Sequence, residues 1–293
     1  MIFERLIAPF RRNPPPVVSV IRLDGIIGPA GNFRPGINLA ALAPVIERAF
    51  APKRQKAVAL LINSPGGSPV QSALVAGRIR QLADEKKVPV FAFTEDVAAS
   101  GGYWLACAAD EIFAAESSIV GSIGVISAGF GFQDLISRYG VERRVHTSGT
   151  RKAMLDPFQP EDPEDVVRLV AIQREIHEYF KAHVRGRRAG RLKAPEDDLF
   201  TGEFWTGRRA LDLGLIDGIG DQRGVMRGRF GEKVKLRVVH AERGWLRSRL
   251  RLEEGEVLGR GIAAEKVGEA AGAAVETALG LLEERLARAR FGL

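Results

Sequence analysis

Three short glycine-bearing turns, each following an apolar run, hold the side chains and backbone groups that nucleophilic catalysis needs. The first is Asn63-Ser64-Pro65-Gly66-Gly67, directly after Val58–Ile62. A Gly-Gly turn that leads into a helix presents unpaired backbone N–H groups, and the carboxyl ends of strands in an open α/β sheet are where ligands bind. The same five residues also suit an ordinary strand-to-helix turn. They match neither GxGxxG nor GxxxxGK[ST], which argues against a phosphate cradle. The second turn is Ala98-Ala99-Ser100-Gly101-Gly102-Tyr103. A serine before two glycines at a helix start is placed as a nucleophile should be. The glycines let a substrate approach the backbone, and the Gly101 N–H lies beside the Ser100 hydroxyl, where an oxyanion needs donors. Serine is also a very common N-cap, and from Ser-Gly-Gly alone the cap is the favoured of the two roles.

A serine hydroxyl is a weak nucleophile without a base. No histidine follows Ser100 within 20 to 30 residues, and His146 is the nearest. The third turn, Thr147-Ser148-Gly149-Thr150-Arg151-Lys152, offers Lys152 instead. A lysine acts as a base only where burial favours its neutral form, and a solvated surface lysine is the plainer reading of the residue type.

The elements that must carry these turns alternate between β-branched runs and amphipathic stretches. Val17–Leu23, Ala57–Ile62 and Val88–Phe93 read as strands, with helices over Leu39–Phe50 and Val70–Leu82 between them. The alternation continues with a helix over Tyr103–Ala109, strands at Glu111–Ala114 and Val120–Ile126, a helix over Phe132–Arg138 and a strand at Glu142–His146. A long helix from Pro163 to about Arg185 follows, then a glycine-rich stretch around a short helix between Gly202 and Gly220, and a last strand at Val234–Val239. Strands separated by helices at this spacing imply βαβ units and a mainly parallel sheet, so the fold class is α/β. Residues 262–290 carry Val267, Ala271, Val275, Leu279, Leu282 and Leu286 on one narrow stripe, which reads as an appended helix docking on a neighbouring subunit or on the parent domain. The expected organisation is a basic, Pro-rich segment over 1–16, a catalytic domain over 17–240 and a helical extension over 241–293.

Composition narrows the chemistry further. The 293 residues are 45% hydrophobic and 27% charged, the balance of a folded globular protein rather than a disordered or fibrous one. The single cysteine, Cys107, excludes an intramolecular disulfide and a cysteine-based zinc site; in its Ala-rich surroundings it reads as a buried thiol. His146, His177, His183 and His240 are scattered with no HExxH spacing, so neither a metal nor another cofactor is expected. The net charge of +7 lies wholly in the first 240 residues, because residues 241–293 hold nine basic and nine acidic side chains. The densest cluster, Arg185, Arg187, Arg188, Arg191 and Lys193, lacks interleaved aromatic residues, so nucleic acid is not an expected partner. A solvated helix end or attraction to an anionic membrane surface suits it better. The apolar start, Met1–Arg12, is too short to span a bilayer before Pro14–Pro16 and lacks a cleavage pattern. The expected location is cytoplasmic or peripheral to the inner membrane.

Taken together, LLINSPGGSP (60–69), EDVAASGGYWLA (95–106), SSIVGSIGVI (117–126) and HTSGTRK (146–152), with TGEFWTGRRALDLGLID (201–217) downstream, resemble the signal peptide peptidase A family of serine proteases. The resemblance runs over about residues 17–240. It implies a fold similar to the crotonase and Clp protease superfamily, with repeated ββα units, and a Ser/Lys dyad in place of a triad. By motif position Ser100 is the implied nucleophile and Lys152 the general base. Gly67 and Gly101 are the implied oxyanion-hole donors, and Ser122 orients the lysine. The implied substrates are small or unfolded peptides, signal-peptide remnants among them, and the implied assembly is a homo-oligomeric ring or dome. Relatives often carry an N-terminal anchor or a tandem duplication, and neither is expected here.

Two other classes share parts of this pattern. A crotonase-like acyl-CoA enzyme would use the same sheet and oxyanion turns without needing Ser100 and Lys152 together, and thioesterase or hydratase assays separate it. A non-catalytic assembly scaffold would show no covalent labelling at Ser100.

Overall fold

The computed structural model describes residues 15–29 and 36–240, together with Arg285, Leu286, Ala289 and Phe291. The first strand, β1 (Val17–Asp24), leads through helix α1 (Leu39–Phe50) to β2 (Gln55–Ser64). Helix α2 (Pro69–Lys86), strand β3 (Val90–Ala99) and the short helix α3 (Gly101–Ala106) follow. Strands β4 (Glu111–Ala114) and β5 (Ile119–Gly121) come next, then helices α4 (Gln133–Arg138) and α5 (Pro163–Arg187). The chain ends its described course with α6 (Glu196–Leu199), β6 (Phe204–Thr206), α7 (Gly207–Asp212), β7 (Gly218–Ile219), α8 (Gln222–Phe230) and β8 (Lys235–Val238).

The eight strands form one sheet in the order β6-β5-β3-β2-β1-β8, with β4 pairing β3 and β7 pairing β4. Every ladder is parallel except β5 against β6. Residues 57–60 of β2 are buried without interruption, as expected of a central parallel strand covered on both faces. Helices α1, α2 and α3 cover one face, where Ile46, Ile79 and Leu105 pack on Ile21, Leu60 and Ile62. Helix α8 covers part of the other, where Met226 packs among Val18, Val20, Phe91 and Phe93.

The local signals explain where the elements begin. Asn38 caps α1 by accepting from the Ala41 N–H at 2.9 Å, and Ser68 caps α2 ahead of Pro69. Strand β3 does two jobs. Its first half, Phe91–Thr94, pairs with β4, and after an irregularity in its pairing with β2 its last residues, Val97–Ala99, pair with β5. The bulge is what allows one strand to hold two partners in succession.

Two strand expectations fail. Residues 142–146 are exposed and form no ladder, since β6 already occupies the edge of β5 where a further strand would add. The strand expected over Val120–Ile126 stops at Gly121, because Ser122 turns the backbone to φ 52°. The helix expected over Tyr103–Ala109 runs instead from Gly101 to Ala106. Most of the basic cluster at the end of α5 is engaged internally. Arg185 pairs with Glu196 at 2.6 Å, Arg187 donates to the carbonyls of Cys107 and Ala109, and Arg188 and Arg191 both reach Asp217.

The segment 1–14 and most of the expected C-terminal helix lie outside the described residues. Phe291, which is described, packs on Val97 and Ala99 and meets Phe204 edge-on at 4.9 Å.

Candidate active site

Strand β3 ends at Ala99 and hands the chain to Ser100, which sits at φ 52° and ψ −122°. A non-glycine residue rarely takes a positive φ, at a cost of about 1–3 kcal/mol. The neighbours that enforce it are visible. The Ser100 N–H donates to the Gly121 carbonyl at 2.8 Å, and the Ser100 carbonyl accepts from the Trp104 N–H at 3.0 Å as the first bond of α3. The Ser100 side chain makes no capping hydrogen bond. Of the two roles its sequence allowed, the capping one is absent. A strained strand-to-helix turn that presents an uncommitted serine hydroxyl is the geometry of a nucleophile elbow.

The first glycine turn packs directly on it. A Cβ on Gly66, whose φ is 108°, would lie 2.8 Å from Ser100 Cβ and 2.9 Å from both the Ala99 carbonyl oxygen and the Gly101 nitrogen. Gly67 has φ 140° and no room for a side chain against the Ile27 carbonyl. Ile27 fixes the turn from outside, donating its N–H to the Gly66 carbonyl at 2.8 Å and accepting from the Ser68 N–H at 2.7 Å. Neither the Gly67 nor the Gly101 N–H donates to any group among the described residues. Backbone amides without partners are the kind of donor an oxyanion hole uses.

Ser122 follows the Gly121 that holds the Ser100 N–H. It is buried, has φ 52°, and its N–H donates to the Glu203 carbonyl at 2.7 Å. The structure therefore gathers Ser100, Gly67, Gly101 and Ser122 around one turn. Lys152 is elsewhere in its contacts. It lies exposed in the segment 125–162, and its side chain makes no hydrogen bond or ion pair with any of the four. His146 is exposed on the same segment. This segment carries Ile126, Phe130, Leu135, Tyr139 and Val141 with at least half of each residue's surface open to solvent.

Behind the site Cys107 is the buried thiol expected from its surroundings, while the partners made by Tyr103, Asp217, His177 and His183 had no local signal in the sequence. Burial pushes the Cys107 thiol up to about 12 and raises the Tyr103 hydroxyl well above its usual range, so neither ionises near neutrality. The Tyr103 hydroxyl donates to the Leu215 carbonyl at 2.7 Å. Burial alone would raise the Asp217 carboxyl, but Arg188 at 2.7 Å and the Ile112 N–H overcome it and hold it below the usual carboxylate range. On α5, His177 and His183 reach the carbonyls of Ile123 and Trp104. Burial lowers the affinity of His183 for a proton. No periodicity marks these two as different from the other polar residues of a long amphipathic helix. Among the described residues no cluster of ligating side chains could hold a metal ion.

The family model for peptidase family S49 matches residues 82–232, half of the chain. The chain is 53% identical over 250 residues to a protein of Brucella abortus named Na(+)/H(+) antiporter NhaA, covering 85% of this chain and 34% of that one. It is 32% identical over 208 residues to the chloroplastic serine protease SPPA of Arabidopsis thaliana, covering 69% of this chain and 30% of that one. The chain thus spans about a third of the length of these curated relatives, and what each does as a whole belongs to it. Among solved structures, the 1510-N membrane-bound stomatin-specific protease aligns with TM-score 0.49 at 17% identity, over 78% of this chain and 99% of that one. No helix among the described residues is long and apolar enough to cross a membrane.

Proposed function

The chain belongs to peptidase family S49, and from that premise we propose that it is a serine peptidase cleaving small or unfolded peptides, with Ser100 as nucleophile and Lys152 as general base. The observation that carries this reading is Ser100 itself, held at φ 52° with its hydroxyl unused by the fold. Ser100 Oγ attacks the scissile carbonyl carbon while its proton passes to Lys152 Nζ. The carbonyl oxygen becomes an oxyanion between the Gly67 and Gly101 N–H groups, which are worth about 3–4 kcal/mol each at such a site. The lysine ammonium then protonates the departing amine, and water, deprotonated by the same lysine, hydrolyses the acyl-enzyme. Ser122 orients the lysine. Signal-peptide remnants fit the substrate class that this reading names.

A lysine serves as a base only where it is desolvated, and in a single chain Lys152 lies on an exposed arm. We therefore read the site as completed between copies, with the apolar arm residues covered by a neighbouring chain in a closed ring or dome. A small serine-reactive phosphonate should label Ser100, and Ser100→Ala should abolish peptidase activity while the protein stays folded. Retained activity in Ser100→Ala overturns the reading. Mixing inactive Ser100→Ala with inactive Lys152→Ala protein should restore partial activity. No recovery in mixed oligomers places the two residues of each dyad on one chain.

A further inference from the structure

Two histidines six residues apart on α5 touch the two halves of the candidate site. His177 Nε2 lies 3.0 Å from the Ile123 carbonyl oxygen. His183 Nε2 lies 3.1 Å from the carbonyl of Trp104, in the helix that begins at Ser100. A carbonyl only accepts, so each ring nitrogen carries the hydrogen, which the neutral Nε2–H tautomer and the imidazolium both provide.

The two contacts differ in what supports them. Trp104 also stacks on Phe180 and on the His183 ring, each at 4.9 Å, so packing holds α3 against α5 without the hydrogen bond. The Ile123 carbonyl has only His177 among the described residues. Ile123 stands directly after Ser122, in the turn whose Gly121 carbonyl holds the Ser100 N–H. It also stands where the chain leaves the body, since residues 125–162 are exposed almost throughout and return only at Pro163, the first residue of α5. His177 lies about 20 Å along the helix from that return point at a rise of ~1.5 Å per residue. Between the two, the returning limb of the arm is held to the first turn of the helix, where the Leu155 N–H donates to Asp165 Oδ2 at 3.2 Å. The arm and the first half of α5 thus form one lever, joined to the body at its base by the His177 bond.

We propose that His177 is a positioning residue: by donating from Nε2 to the Ile123 carbonyl, it fixes the Gly121–Gly124 turn, and so sets Ser122 relative to Ser100 and the root of the arm that carries Lys152 to its partner serine. The proposal rests on the reading of Ser100 and Lys152 as nucleophile and base. Effective placement of a general base is steep in distance, with a shift of about 1 Å costing on the order of 100-fold. A loosened turn therefore slows proton transfer more than it weakens binding.

The test uses the full chain, a quenched fluorogenic peptide and the phosphonate. His177→Ala should lower kcat by about 10- to 100-fold with KM within about twofold. Labelling of Ser100 should slow by a similar factor. His177→Gln places an amide donor near the position of Nε2 and should recover most of the rate, whereas the shorter His177→Asn should not. Arg185→Ala, on the same helix but outside the site, should leave kcat unchanged. If His177→Ala does not fold, the Gln and Asn variants decide. Equal rates in those two, or an unchanged kcat in folded His177→Ala, overturn the proposal. Activity that survives Ser100→Ala instead removes the dyad reading beneath it, a separate outcome from either.

Discussion

Replacing Ser100 by glycine should give a protein that is as inactive as the alanine variant and more stable than it. Both substitutions remove Oγ, but only alanine keeps a Cβ at φ 52° and ψ −122°. Backbone held in that region by a residue with a side chain costs about 1–3 kcal/mol, while glycine enters it freely. Glycine gives back about 0.5–1 kcal/mol through the extra freedom of the unfolded chain. The balance favours Ser100→Gly over Ser100→Ala by about 1 kcal/mol, or about 2–4 °C in Tm for a domain of this size. Differential scanning calorimetry on the two variants, at one protein concentration, reads the difference directly. A glycine variant that melts at or below the alanine variant would show that the turn stores no strain, and the elbow argument would fall with it.

Gly66→Ala should be worse for activity than any conservative change in the core, because its Cβ would lie within 3.0 Å of Ser100 Cβ, the Ala99 oxygen and the Gly101 nitrogen; a loss of kcat of at least about 100-fold is expected, and near-normal turnover would refute the close packing. Arg188→Ala should destabilise by about 2–3 kcal/mol, since it removes the side chain of a residue only 1% exposed together with its bonds to Asp217 and to the Gly214 carbonyl, leaving the carboxylate to Arg191 and the Ile112 N–H. A denaturant midpoint within error of the parent protein would contradict that. The depressed proton affinity of His183 means the unfolded chain takes up this proton before the folded one does, so its contribution is undiminished above pH ~6.5 and stability falls as the pH drops below it. Substituting His183→Gln should flatten the Tm-against-pH curve below about pH 6.5, and an unchanged slope would assign the acid sensitivity to other groups.

The parallel sheet was legible because its strands are short apolar runs bounded by glycine and proline, and the burial of Ala57–Leu60 is what such runs require. The turn at Ser100 was legible as residue types but not as conformation. Ser-Gly-Gly fits a capped helix as well as an elbow, and the decision lies in the Gly121 carbonyl that holds the Ser100 N–H, a contact across 21 positions that no local pattern encodes. The segment at 142–146 misled for the opposite reason. Glu142 to His146 falls where the alternation of elements calls for a strand, but it is mostly charged, and β6 already occupies the edge of β5. Arg188 read as one of a solvated basic cluster because its partnership with Asp217, 29 positions away, is made only when the chain folds.

The switch of partners within β3 places a rule on how this chain can change length. Side chains alternate sides along a strand, so adding or deleting one residue between Val97 and Ala99 would rotate Ser100 to the opposite face of the sheet and break the pairing of Ala99 with Gly121 in the same stroke. Nothing downstream could compensate, because the first half of the strand is already locked to β4. A change of the same size between Gly124 and Pro163 alters no sheet register at all. Descendants of this sequence are therefore free to lengthen or trim the projecting segment, and with it their choice of neighbours, while the three residues before the serine stay fixed in number.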